Sequence, residues 1–440
     1  MSGRAFSSLN SLGHNGESEA TDDFPKPPSG IVFHCLAGDI VDQIEPHTEA
    51  DKVALLVHIL TAFGNAIGRN PHSIADGSRH STNLFCVCVG ESSKSRKGTA
   101  LAHIKRIFKR ADEEWVAECM TSGLNSGEGL IYAVRDPVTK RVKQKDGSYS
   151  TEIVDQGISD KRRMFVESEL SSTLRVMRRD GNTLSAVIRS AWDDGDLRTA
   201  VKNSPNAATD AHVSIIGHVT RDEVRRELNA IDQANGFANR FLWLAVRRSK
   251  CLPEGGHIDT ENLNDLITRL HEAIEFAGNA GEVMRNEGAR KLWRICYPAL
   301  SEGKPGLLGA ITARAEAQVL RLSVIYALLD CSTTISVDHH RAALALWNYC
   351  DRSAKWIFST ATGDSRADRI LFALQVAGKV GLTKTEISEG VFNRNVSSDA
   401  VSDALRILHR SGQAKFVKEI TGGAPCERWF AQSERTNLTK

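Results

Sequence analysis

Long hydrophobic runs are missing from this 440-residue chain: none approaches the roughly 18 apolar residues that cross a bilayer. The N-terminus has neither the apolar core of a secretory signal nor an Arg-rich transit pattern, so the expected location is cytoplasmic with no membrane partner. Excess charge is missing too. Fifty-six Lys and Arg against 54 Asp and Glu leave +2, which excludes a surface that attracts nucleic acid everywhere and assigns any such binding to local patches. The nine cysteines are odd in number and scattered, which argues against a disulfide framework. Cys86 and Cys88, two apart on one strand face, read as buried packing groups, with metal or redox chemistry as the alternative. No internal repeat is present.

What is present is ordinary globular material, enough for two or three domains. Residues 1–29, rich in Ser, Gly, Asn and Pro, read as a disordered arm. "DKVALLVHILTAFGNAIG" has helical spacing, "NLFCVCV" is a buried strand, and one amphipathic helix is expected across "TALAHIKRIFKRADEEWVAECM". Asp146-Gly147 between alternating segments marks a hairpin. "KRRMFVESEL", "HVSIIGHVT" and "NRFLWLAVRRS" are further strands, so a mainly parallel, buried α/β sheet is predicted within residues 30–255. Residues 256–362 read as helices only, with no strand expected until about residue 414. Residues 363–432 give three helices, a capping box at Thr383 and Glu386, and a hairpin turning at Gly422-Gly423, the pattern of a winged helix. Residues 433–440 form a tail.

The stretch "VGESSKSRKGT" carries the chemistry. Gly90 ends a strand, Ser92, Ser93 and Ser95 are small, and Lys97, Gly98 and Thr99 open a helix. Such a loop directs backbone N–H groups at phosphate oxygens, while a lysine neutralises the β/γ-phosphates and a hydroxyl holds Mg2+. Three features depart from the consensus. The loop is one residue longer, Arg96 stands where glycine is customary, and Gly98 passes the metal-binding hydroxyl role to Thr99. A plain strand, turn and helix fits the same letters. Glu167 and Glu169 follow at the end of a strand, on one side of it if the strand persists, placed to hold the metal and activate water or simply as acids of an exposed strand end. His218 ends the next strand, either as the polar group that senses a γ-phosphate in such sheets or as a satisfied polar strand end. Arg240 precedes the strand after that, either as a finger reaching a neighbouring subunit or as a salt-bridge residue. Glu128 begins a helix after "SGLNSG", shaping the pocket or simply facing the helix dipole with Ser126 as N-cap.

In this order, "VGESSKSRKGT", "SGLNSGEGLI", "MFVESELSSTLRVMRRDGNTLSAVIRSAWDDGDL", "SIIGHVTRDEV", "NGFANRFLW" and "VLRLSVIYALLD" resemble the YfjI-like family of P-loop proteins. Members occur in phages, plasmids and integrated elements, often joined to primase-polymerase domains. The resemblance spans about residues 30–350. It implies a RecA/AAA-like P-loop ATPase core with a helical lid, ATP and Mg2+ as cofactors, and an arginine finger at Arg240 in a homo-oligomeric ring, a hexamer by analogy. The SRKGT-type loop is a familiar variant there. Thirty residues before the core are too few for a priming domain, so priming is not expected of this chain; the resemblance implies a primase or another replication protein as a partner.

Two regions are expected to touch DNA. By resemblance to ring helicases, a basic hairpin bearing Arg198 and Lys202 grips the backbone; a plain surface hairpin is the alternative. Arg394, Arg406 and Arg410 flank the third helix of the C-terminal unit, where phosphate contacts would give salt-sensitive binding; a protein-binding role is the alternative. Arg314 and Arg321, seven apart on one helix, are phosphate ligands of the lid or salt-bridge residues. The expected function is an ATP-hydrolysing nucleic-acid motor, helicase-like, in replication of a mobile element. Its rivals are an ATP-dependent loader or switch that does not unwind, and a winged-helix regulator with an inactive loop.

Overall fold

The computed structural model describes residues 24–146, 148–199, 206–228, 235–258, 260–303, 306–358, 364–419 and 426–432. Lys202, Gly147, the Gly422-Gly423 turn, the tail and most of the N-terminal arm lie outside them.

The centre is a five-stranded, wholly parallel sheet: β1 (Phe85–Gly90), β2 (Met120–Thr121), β3 (Arg162–Glu167), β4 (His212–Thr220) and β5 (Phe241–Ala245), in spatial order β5-β1-β4-β3-β2. Both faces are covered, which is why β1 is apolar at every position rather than alternating. Cys86 and Cys88 pack with Ile216 against α1 (Lys52–Ala66) and α2 (Lys97–Ala111). Phe85, Val87 and Val89 face the other layer with Ile215 and Trp192.

The helix expected across residues 99–120 is two. Asp112 leaves helical conformation at φ −152° and its carboxylate accepts from the Trp115 N–H at 2.9 Å, capping α3 (Glu113–Glu118). The chain then reaches β2, a two-residue edge strand that carries no period for a sequence reading to detect. Two more such pairs were unforeseen. His72–Ala75 pairs with Ser78–Ser81 around Asp76-Gly77, and Met284–Arg285 pairs with Thr334–Ile335 inside the region read as helices only.

On the Trp192 side of the sheet lie α4 (Leu184–Asp193) and α5 (Arg221–Glu227). The helix read as a lid, α6 (Ala315–Leu329), is buried at every residue except Glu316. It is apolar all round because it is covered all round. Leu270, Val324, Ala343 and Leu346 share one cluster with Leu56 and Cys86, so α6 and α7 (Val337–Phe358) complete the core of the sheet. The C-terminal unit has its own core. There α8 (Ser365–Ala377), α9 (Lys384–Gly390) and α10 (Ser398–Arg410) enclose Leu374, Ile387, Leu405, Leu408 and Trp429 against a three-stranded antiparallel sheet.

Candidate functional site

The strand order creates an opening. From β1 the chain moves past β4 and β3 to β2; from β4 it turns back past β1 to β5. The carboxyl ends of β1 and β4, in register at Gly90 and Thr220, therefore flank the crevice where open parallel sheets bind ligands. The loop of residues 91–96 sits there.

Local chemistry shapes that loop. Ser92 Oγ accepts from the Lys94 N–H at 3.2 Å, and Ser95 Oγ donates to the Ser92 carbonyl at 2.8 Å, closing a short 3-10 turn (Ser93–Ser95). A methyl group on Gly90 would lie 2.1 Å from Ser95 Oγ and 3.0 Å from Lys97 Nζ, so only glycine fits. Arg96 adopts the left-handed conformation, φ 58° and ψ 25°, which explains why glycine is customary there. Its side chain leaves the loop, with Nε 2.6 Å from Glu49 Oε2. Glu49 also accepts from the Leu252 N–H and pairs with Arg248, and together with Arg96 these hold its carboxyl down at about 2.

Lys97 opens α2 and is only 9% exposed. Its ammonium donates to the Ser92 carbonyl at 3.4 Å, and no carboxylate among the described residues lies within ion-pair distance. Burial lowers its pKa, opposed by Cys88 and Glu223 nearby. Gly98 and Thr99 are exposed on the first turn of α2. Glu223, absent from the sequence-based site, closes a capping box with Thr220 directly after β4; the T-x-x-E spacing was its available signal.

The two glutamates are not a pair on one strand. β3 ends at Glu167, and Glu169 is exposed in the following turn. Glu167 Oε1 accepts from the Gly123 and Leu124 N–H groups at 2.7 and 2.9 Å, tying the strand end to the "SGLN" loop. Ser126 Oγ accepts from the Gly129 N–H at 3.0 Å, and Glu128 accepts from Thr183, so the helix-start reading of Glu128 is the one realised.

His218 is 3% exposed, with Nε2 3.2 Å from His58 Nε2 on α1, and His58 Nε2 is 3.6 Å from Cys88 Sγ. Burial pushes His218 down to about 4, with the Lys97 charge adding to the effect. The ring is turned onto α1 and finds its partner there, as a satisfied polar strand end does.

Arg240 has its partners within the chain. It precedes β5, at the amino end of the sheet, opposite the loop. It is 6% exposed, with Nη2 2.5 Å from Asp193 Oδ2 and Nη1 donating to the Gly236 carbonyl. It does not project from the subunit. Arg314 Nη1 lies 3.5 Å from Asp193 Oδ1. The fully buried Arg321 donates to the Asn83 carbonyl at 2.9 Å and the Trp192 carbonyl at 2.7 Å. All three guanidinium carbons lie within 6 Å of the Trp192 ring centre: Arg321 at 3.7 Å, Arg314 at 5.1 Å and Arg240 at 5.8 Å. The phosphate role for Arg314 and Arg321 falls with this placement. Their partners, Asp193 and Trp192, were missed because nothing local links them to Arg240.

Of the DNA candidates, Arg198 lies on a short strand, Leu197–Arg198, paired with Ala207–Ala208. Arg394 pairs with Glu389, Arg406 sits 3.0 Å from Asp403, and Arg410 is exposed at the end of α10. The chain matches no protein-family model and no curated protein sequence.

Proposed function

We propose that the chain is an ATP-hydrolysing nucleic-acid motor with a P-loop core and a C-terminal winged helix. The observation that carries this is Lys97: a nearly buried ammonium without a carboxylate partner among the described residues, at a helix N-terminus, folded onto Gly90 at the sheet's crevice. A triphosphate supplies the anion such a group lacks. The motif order resembling the YfjI-like family supports the same reading.

In this proposal Lys97 binds the β/γ-phosphates, loop N–H groups orient them, and the exposed Thr99 hydroxyl is the metal ligand of α2. Mg2+ neutralises charge developing on the transferred phosphoryl group. Glu167, fixed by two N–H groups, is the acid for metal and water. It lies two strands from β1, about 10 Å sideways. The ring rested on Arg240; acting in trans would require that side chain to leave Asp193. Arg394, Arg406, Arg410 and Lys202 remain the proposed nucleic-acid contacts.

Phosphate release by wild type and Lys97→Ala, with and without single-stranded DNA, tests the proposal. DNA-stimulated hydrolysis that drops at least ~100-fold in the variant is expected. Hydrolysis indifferent to DNA means a loader or switch. No hydrolysis with intact duplex binding means a regulator.

A further inference from the structure

Beside the loop, three side chains converge from three elements. His58 comes from α1, Cys88 from β1 and His218 from β4; all are buried, and their ligand atoms lie within 4.8 Å of one another. Such groups are costly in an apolar layer unless they interact. The two imidazoles can share one N–H···N bond, but that leaves His58 Nδ1 buried with no hydrogen-bond partner among the described residues.

We propose that His58, Cys88 and His218 bind a single zinc ion. Two of the three separations match, and the third, between the Cys88 and His218 ligand atoms, is within 4.8 Å. Zinc with Zn–N of about 2.0–2.1 Å and Zn–S of about 2.3 Å at tetrahedral angles places two nitrogens about 3.4 Å apart, and a nitrogen and a sulfur about 3.6 Å apart. The observed values are 3.2 Å and 3.6 Å. The donor set excludes hard cations, which take oxygen ligands, and suits a borderline-soft ion. Binding breaks the Cys88 S–H bond, forms a Zn–S bond and releases the proton to solvent. The fourth position is left to water. The bound ion ties α1 to the two strands that flank the crevice, so it braces the wall of the nucleotide site without contacting substrate. Sequence spacings of 30 and 130 residues put this set beyond any short motif. The inference stands independently of the nucleotide reading.

The test uses the full chain, stripped of metal with a chelator, then titrated with Zn2+ and separately with Co2+. One equivalent of zinc, a rise in melting temperature, tetrahedral cobalt bands in the visible and a thiolate-to-cobalt band in the near ultraviolet are expected. Cys88→Ser, close in shape, should lose the near-ultraviolet band. His218→Asn should bind zinc at least ~100-fold more weakly, with far-ultraviolet circular dichroism unchanged in both variants. Lys97→Ala should keep the zinc. Absence of stoichiometric binding by the wild type overturns the inference. So does an unaltered cobalt spectrum in Cys88→Ser, which would place the ion elsewhere. ATP hydrolysis by a chain that binds no zinc would overturn this inference and leave the motor reading intact.

Discussion

Lys97, at the carboxyl end of the parallel sheet, and three arginines at its amino end hold positive charge in opposite ways. At the amino end, Arg240, Arg314 and Arg321 are closed around Trp192, with Asp193 and backbone carbonyls as partners. At the carboxyl end, Lys97 has one distant carbonyl and no carboxylate within ion-pair distance among the described residues. A cation whose partners are built in holds the fold together. A nearly buried cation left short of them is poised for an anion from outside. The contrast separates two groups of basic residues that the letters alone place on one list.

Gly90→Ala should break the carboxyl end most severely. The added methyl meets Ser95 and Lys97, so nucleotide binding should fall at least ~100-fold, as hydrolysis does in Lys97→Ala. Titration with a fluorescent ATP analogue checks this; undiminished binding would mean that the loop takes no phosphate. At the amino end, Arg240→Ala should cost stability rather than chemistry, about 2–4 kcal/mol in urea unfolding, because Asp193 loses its buried partner. Lost hydrolysis at unchanged stability would instead return Arg240 to catalysis.

Buried neutral histidines supply the next effect. Burial pushes His212 down to about 3, and pushes His80 and His340 down to about 4, with Arg321 and Arg314 adding to the shift of His80. Unfolding returns each to about 6.5, so the unfolded chain binds more protons. The stability they lend is complete above pH about 6.5 and is lost as pH falls toward 4. A melting temperature that drops across that window is expected, and His212→Gln should flatten the drop. The smallest effect belongs to Arg96→Gly. Relief of the left-handed backbone, about 1 kcal/mol, offsets the half-exposed pair with Glu49, so stability should change by less than about 1 kcal/mol. A larger loss in calorimetry would show that Glu49 anchors the loop.

What was legible in the sequence was what neighbouring residues decide. β1, β3, β4 and β5 announce themselves as apolar runs, and the Gly90-to-Thr99 loop as a local arrangement of small residues before a lysine. Asp112 was a legible cap, passed over because the apolar spacing continued across it. The rest depends on distant contacts. Nothing near Arg240 names Asp193, 47 residues earlier. The apolar character of α6 fits a lid or a core helix equally, and only its neighbours decide. The partner of His218 could not be read locally because His58 lies 160 residues away.

The spatial order of the strands sets a problem of timing during synthesis. β1 is complete at residue 90, but its two neighbours begin at residues 212 and 241. At roughly 5–20 residues per second, the ribosome takes on the order of 6–30 s to deliver them. Until then "FCVCV" has both edges open, and a strand in that state pairs readily with other nascent chains. Those open edges are a hazard of the strand order itself, one that the finished molecule's equilibrium stability does not measure.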